Sequence, residues 1–215
     1  MSTVPTAVNI LICKTQFLSQ PCMIAPWRSL LARALHKNRS LPDARYFQLA
    51  TVRPDGLPAN RTVVFRGFLD DTNQIKIITD SRSQKAEQIN HQSWGEACWY
   101  FPKTREQFRL AGELTLVGAE YPNPSLQDAR QTTWQELSDA ARLQFAWPHP
   151  GEPRVEDGGA FSPPPPHLEQ PLPNFCLLLL DPIQVDHLEL RGEPQNRVFY
   201  RKNNFHDWST QTVNP

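Results

Sequence analysis

Between Tyr46 and Ala119 the chain is a succession of short apolar-alternating segments cut by turn sequences, a pattern that leaves room for little other than antiparallel β structure. Tyr46 to Val52 ends at Pro54-Asp55-Gly56, a turn with a mechanism, since proline presets φ and glycine tolerates positive φ. A return strand is expected over Asn60 to Phe68, closed by Asp70-Asp71-Thr72-Asn73, with Gln74 to Thr79 pairing back on it. Two more strands, Glu96 to Phe101 and Gln107 to Ala119, complete five in meander order, which points to a small barrel. Asn174 to Leu190 and Arg197 to Arg201 form a closing hairpin.

Helical spacing appears in three places. Trp27, Leu30, Leu31, Ala34 and Leu35 recur on one face of 25–38 behind Pro26; Ser83 to His91 opens on a serine cap; and Pro124 to Phe145 reads as a helix capping the barrel. The stretch 147–173 holds nine prolines and three glycines and is expected to be a long extended loop, mobile or functional. At 215 residues, one domain over 25–215 is expected, with 1–24 an N-terminal extension that is disordered or that translation from Met23 leaves out.

Charge and cysteine usage narrow the function. Cations and anions both number 22, which disfavours a nucleic-acid face, and no apolar run approaches the length of a membrane span. Cys13, Cys22, Cys98 and Cys176 show no metal-ligand spacing and no secretory leader is visible, so a reduced cytoplasmic protein without a metal is expected. Sixteen of the 22 cations are arginine, the residue that grips phosphates in a fixed fork.

Dinucleotide, P-loop, nucleophile-elbow and zincin motifs are missing from the sequence, and the six histidines are scattered. What remains is Arg61-Thr62-Val63-Val64-Phe65-Arg66 on a strand, followed by Ile78-Thr79 and Ser83-Gln84-Lys85 at a strand-to-helix junction. Arginine, hydroxyl, lysine and free helix amides are what a phosphate monoester needs. A solvated strand face and an ordinary helix cap would show the same residues, and composition alone favours that plainer account.

The order and spacing of these pieces resemble the pyridoxamine 5'-phosphate oxidase family of flavoproteins, from about Ala25 to the C-terminus. Arg61 and Arg66 fit its strand motif, Ile78-Thr79 its Tyr-Thr, and Ser83-Gln84-Lys85 its Ser-Arg-Lys. Gln107 fits its ring-binding glutamine, His187 stands at its tryptophan, and Arg197 before Val198-Phe199-Tyr200 fits its C-terminal arginine. The resemblance implies a mainly β (α+β) fold, a six- to seven-stranded antiparallel split β-barrel with flanking helices. It also implies a homodimer with FMN between subunits and a small-molecule substrate that carries a phosphate. Arg61, Thr62, Val63, Val64, Arg66, Ile78, Thr79, Ser83, Gln84, Lys85, Gln107, His187 and Arg197 would then bind FMN. Arg66, Trp134, Ser138 and Arg142 would face substrate, although Trp134 serves equally well as a packing residue among solvated polar neighbours.

The same resemblance marks departures. The family's Ser-Arg-Lys arginine is Gln84 here, and its Arg-x-His pair falls on Glu193 and Gln195, which would weaken a phosphorylated substrate's hold. The implied activity is FMN-dependent oxidation of an amine or alcohol carbon. A nicotinamide-dependent flavin reductase and a non-catalytic FMN-binding module are the alternatives. Arg61 and Arg66 are an odd number apart and would point to opposite faces of a flat strand, so reaching one ligand requires a bulge or a route round the barrel rim.

Overall fold

The structure is a computed structural model and describes residues 24–205 and 207–215. The expected extension over 1–24 lies, apart from Ile24, outside the described residues. Helix α1 (Pro26–Asn38) opens at its proline and buries Trp27, Leu31 and Ala34. The strands are β1 (Tyr46–Val52), β2 (Pro58–Val64), β3 (Ile75–Asp80), β4 (Trp94–Phe101), β5 (Glu106–Val117), β6 (Phe175–Glu189), β7 (Asn196–Lys202) and β8 (Trp208–Val213). The sequence reading assigned no strand to the segment that forms β8.

All pairings are antiparallel, in the order β2-β1-β4-β5-β6-β7-β8, and β3 joins separately against β6. The meander expectation needs correcting here. β1 pairs with both β2 and β4, and β3 does not return along β2 but lies on β6 from Ile75↔Leu180 to Asp80↔Phe175. The fifteen-residue β6 makes this possible. Its first half carries β3 and its second half carries β7, while β5 runs along its other edge throughout. At the change of register between Ala111 and Gly112, a Cβ on Gly112 would sit 2.0 Å from the Asp181 carbonyl oxygen, so only glycine fits that approach.

The barrel closes beyond the end of β2. The Arg66 amide donates to Lys76 O at 2.9 Å and the Lys76 amide to Gly67 O at 2.8 Å, with Gly67 at φ +104°. The return strand expected to reach Phe68 therefore stops at Val64. Inside, Phe47, Phe65, Trp99, Phe101 and Phe108 form a continuous aromatic core with Leu49, Ile75, Ile77, Leu110 and Val185. Burial of these large apolar side chains is the main force holding the barrel together.

Helix α2 (Gln84–His91) is capped by Ser83 and buries Ala86, Gln88 and Ile89. The single helix expected over Pro124 to Phe145 is two, α3 (Pro124–Gln135) and α4 (Asp139–Leu143), because Ser138 is extended and its hydroxyl caps α4. The stretch 147–173 is largely loop, with one 3₁₀ turn at Gly158–Phe161.

Candidate FMN and substrate site

A cavity of about 820 Å³ opens along β2, within the range of small-molecule sites. Over Pro58–Val64, β2 is the last strand of its sheet, and its free edge forms one wall. The parity conflict falls away, because β2 ends at Val64: Arg66 lies beyond the strand, in the segment that pairs with Lys76, and lines the same cavity as Arg61.

The turn joining β3 to α2 supplies the polar end. Lys85 Nζ donates to Thr79 Oγ1, Thr79 and Ser83 hydroxyls lie 3.3 Å apart, and Ser83 Oγ donates to Asp80 O at 2.7 Å. Asp80 grips Arg82 through three contacts of 2.6 to 3.2 Å, and Arg82 reaches on to the carbonyls of Phe145 and Trp147. This ion pair ties the turn to the far wall. Hydrogen bonds from Arg82 and Asn174 hold the Asp80 carboxyl below its ordinary value despite burial.

Arg61 approaches from underneath. Its Nη1 donates to Thr51 Oγ1 at 2.5 Å and to Leu49 O at 3.2 Å, and its Nη2 to Gln88 Oε1 at 2.8 Å. Burial, with Arg53 nearby, lowers its pKa. Lys85 is affected more strongly: burial, then the charge of Arg61, pushes it down to about 8. The Arg61 charge repels that of Lys85, the nearby Asp80 carboxylate offsets part of that repulsion, and a bound anion would offset more of it.

Arg61, Thr62, Val63, Val64, Arg66, Ile78, Thr79, Ser83 and Lys85 all line this one cavity. Gln84 does not; it lies in an adjoining cleft with His149 and Glu152. Gln107, His187 and Arg197 are not on the cavity wall either. His187 is buried, stacked on Phe108 at 4.1 Å, with Nε2 2.9 Å from Glu106. Arg197 is forked onto Asp186 at 2.8 and 3.0 Å, and Gln107 sits on β5 opposite Tyr100 and Leu188.

Of the expected substrate residues, Arg66 lines the cavity, and Trp134, Ser138 and Arg142 do not in this chain. Trp134 is fully buried against Phe145 and Phe175, with Nε1 donating to His167 O at 3.0 Å. Ser138 is spent as the α4 cap, and Arg142 is buried on the carbonyl of Leu137 and the carboxylate of Asp139. Within this chain Trp134 acts as a packing residue. Sequence reasoning missed Thr51 and Gln88, which brace Arg61, along with Arg82 and the wall at 147–155. Only the Arg82 signal, an arginine between Asp80 and the cap, was visible in advance.

Residues 24–118 match the family model of the pyridoxamine 5'-phosphate oxidase FMN-binding domain. A pyridoxine/pyridoxamine 5'-phosphate oxidase 2 from Arabidopsis thaliana is 37% identical over 196 residues, covering 89% of this chain and 98% of that protein. The chain belongs to the pyridoxamine 5'-phosphate oxidase family. A solved FMN-binding protein of this family from Nostoc punctiforme is 64% identical, with a TM-score of 0.87 over 89% of this chain and 99% of that one. PhzG from Burkholderia lata, at 18% identity and TM-score 0.72 over 87% of this chain and 91% of its own, shares the fold.

FMN is the cofactor of this domain, and the residues present suit it. The Arg61, Thr79, Ser83 and Lys85 cluster offers donors and excess positive charge to a phosphate. Arg66, pushed down by burial and by Arg45, has a buried Nε with no acceptor among the described residues. Glu106, His187 and Glu189 are close enough to suggest a metal, but Arg33 lies 3.4 and 3.6 Å from the two carboxylates and meets their charge. We read that group as an ion-pair network. Among the described residues, no helix is long and apolar enough to cross a membrane.

Proposed function

We propose that the protein is an FMN-dependent oxidoreductase acting on an amine or alcohol carbon of a small, phosphorylated substrate, like the oxidases its relatives are named for. The carrying observation is the cavity itself, with a phosphate-ready cluster at one end and the open edge of β2 beside it. Arg61 and Lys85 supply charge to the cofactor phosphate, Thr79 and Ser83 supply hydroxyls, and the first amides of α2 add their dipole. The Val63 to Arg66 segment, which lines the cavity, would flank the flavin, and Arg66 would offer it positive charge. Bound FMN would supply the hydride acceptance that oxidation of the substrate carbon needs, with dioxygen as the final electron acceptor.

No side-chain general base is assigned: burial pushes the Cys176 thiol up to about 11, and His187 lies off the cavity wall, engaged by Glu106. We place the site between two copies of the chain, where the second copy brings Gln107 and Arg197, while His187 stays buried behind them on Phe108 and Glu106. Sedimentation tests this, since a monomer that retains stoichiometric FMN overturns it. A cytoplasmic location belongs to the same reading.

Spectroscopy tests the activity. Purified protein reconstituted with FMN is expected to lose its flavin absorbance with pyridoxamine 5'-phosphate under anaerobic conditions and regain it in air. Bleaching by NADPH alone would indicate a reductase, and no bleaching by either would indicate a binding module.

A further inference from the structure

The cavity holds more positive charge than its cofactor accounts for. Five cationic side chains line it, Arg61, Arg66, Arg82, Lys85 and Arg154, against two carboxylates, Asp80 and Glu152. Asp80 is committed to Arg82. A phosphate monoester brings between about −1.5 and −2 at neutral pH, so on the order of one positive charge is left over. Arg154 makes no hydrogen bond or ion pair with any described residue, and Glu152, two positions earlier, is not its partner.

Arg154 is nevertheless held in place. Its guanidinium carbon lies 5.3 Å from the centre of the Phe161 ring, and that ring meets Trp147 edge to face at 5.9 Å and 72°. Arg82 anchors the start of this wall by donating to Trp147 O at 3.2 Å. A cation over one aromatic face, beside a second ring, is a surface for a flat molecule with a negative group. Arg142, the expected substrate cation on the neighbouring helix, is consumed by the carbonyl of Leu137, just before that helix, and by Asp139.

We propose that Arg154 is the specificity-determining cation of the substrate site, holding the anionic group of a planar aromatic substrate against the Trp147–Phe161 wall. The proposal rests on the FMN reading of the same cavity and names a residue and substrate class for it. Arg154 touches substrate in this account and does not take part in holding FMN.

The test uses full-length, FMN-loaded protein, after FMN affinity has been measured separately. Calorimetry compares pyridoxal 5'-phosphate with pyridoxal, and benzoate with benzyl alcohol, in wild type, Arg154→Met, Arg154→Lys and Glu152→Gln. Wild type is expected to bind the anionic member of at least one pair tenfold or more tightly. Arg154→Met brings the pair within about twofold, Arg154→Lys keeps part of the preference, and Glu152→Gln keeps all of it. FMN affinity and Tm stay unchanged in all three variants, because both positions are exposed. Equal binding within both pairs in wild type, or a tenfold preference surviving in Arg154→Met, overturns the proposal. A wild-type protein that takes up no FMN fails at the earlier step and overturns the cofactor reading, and this proposal with it.

Discussion

Gln88 Oε1 accepts hydrogen bonds from Arg61 Nη2 at 2.8 Å and from Thr51 Oγ1 at 2.6 Å, so a helix residue fixes a strand arginine that lines the cavity. Gln88 is itself buried, and its oxygen is the acceptor for Nη2, whereas Nη1 is held separately by Thr51 and Leu49. Gln88→Leu is therefore expected to leave the Arg61 guanidinium poorly held. At roughly 1.5 to 3 kcal/mol for a charged hydrogen bond, FMN affinity should fall about tenfold to a hundredfold, measured by quenching of flavin fluorescence. Unchanged affinity would mean that Arg61 does not carry the phosphate.

Lys85 makes FMN binding pH-dependent. Its pKa is lowered to about 8 in the folded apoprotein from an ordinary 10.5, so above pH 8 the free site loses the charge that a phosphate needs. Binding at pH 9 should take up a proton and be weaker than at pH 7, and Lys85→Met should flatten that dependence. The sign for stability is opposite. Between pH 8 and 10.5 the unfolded chain holds the proton more tightly than the folded one, so this group makes the apoprotein more stable as pH rises through that window. Calorimetry in buffers of different ionisation enthalpy reads the proton uptake directly.

Riboflavin should bind far more weakly than FMN, since it offers the Arg61, Thr79, Ser83 and Lys85 cluster no anion. Two or more charge-assisted bonds at about 1.5 to 3 kcal/mol each imply a loss of at least a hundredfold in Kd. Equal affinity for the two, measured by titration calorimetry, would remove the cluster from the cofactor site.

Trp134 and Ser138 are expected to affect stability and leave FMN affinity alone. Trp134→Ala empties a space packed by Phe145 and Phe175 and should cost about 3 to 5 kcal/mol in urea unfolding. Ser138→Ala removes a helix cap and should cost about 0.5 to 2 kcal/mol. A soluble Ser138→Ala protein with native stability and a raised substrate KM would return Ser138 to the substrate site.

The sequence by itself determined the local elements of this protein. Strand β1, the Ser83 cap of α2 and the proline start of α1 follow from side-chain alternation, a hydroxyl beside free amides and a preset φ, all of which act within a few residues. It also determined which residues could form a phosphate cluster, because Arg61, Thr79, Ser83 and Lys85 carry that chemistry wherever they lie. Tertiary structure alone decided the partner of β3, since several apolar strands could accept it and only closure of the barrel selects β6 over β2. It likewise decided that Arg142 is consumed by the Leu137 carbonyl while Arg154, held over Phe161, meets no carbonyl or carboxylate among the described residues, because a guanidinium's availability depends on which acceptors the folded chain brings to it.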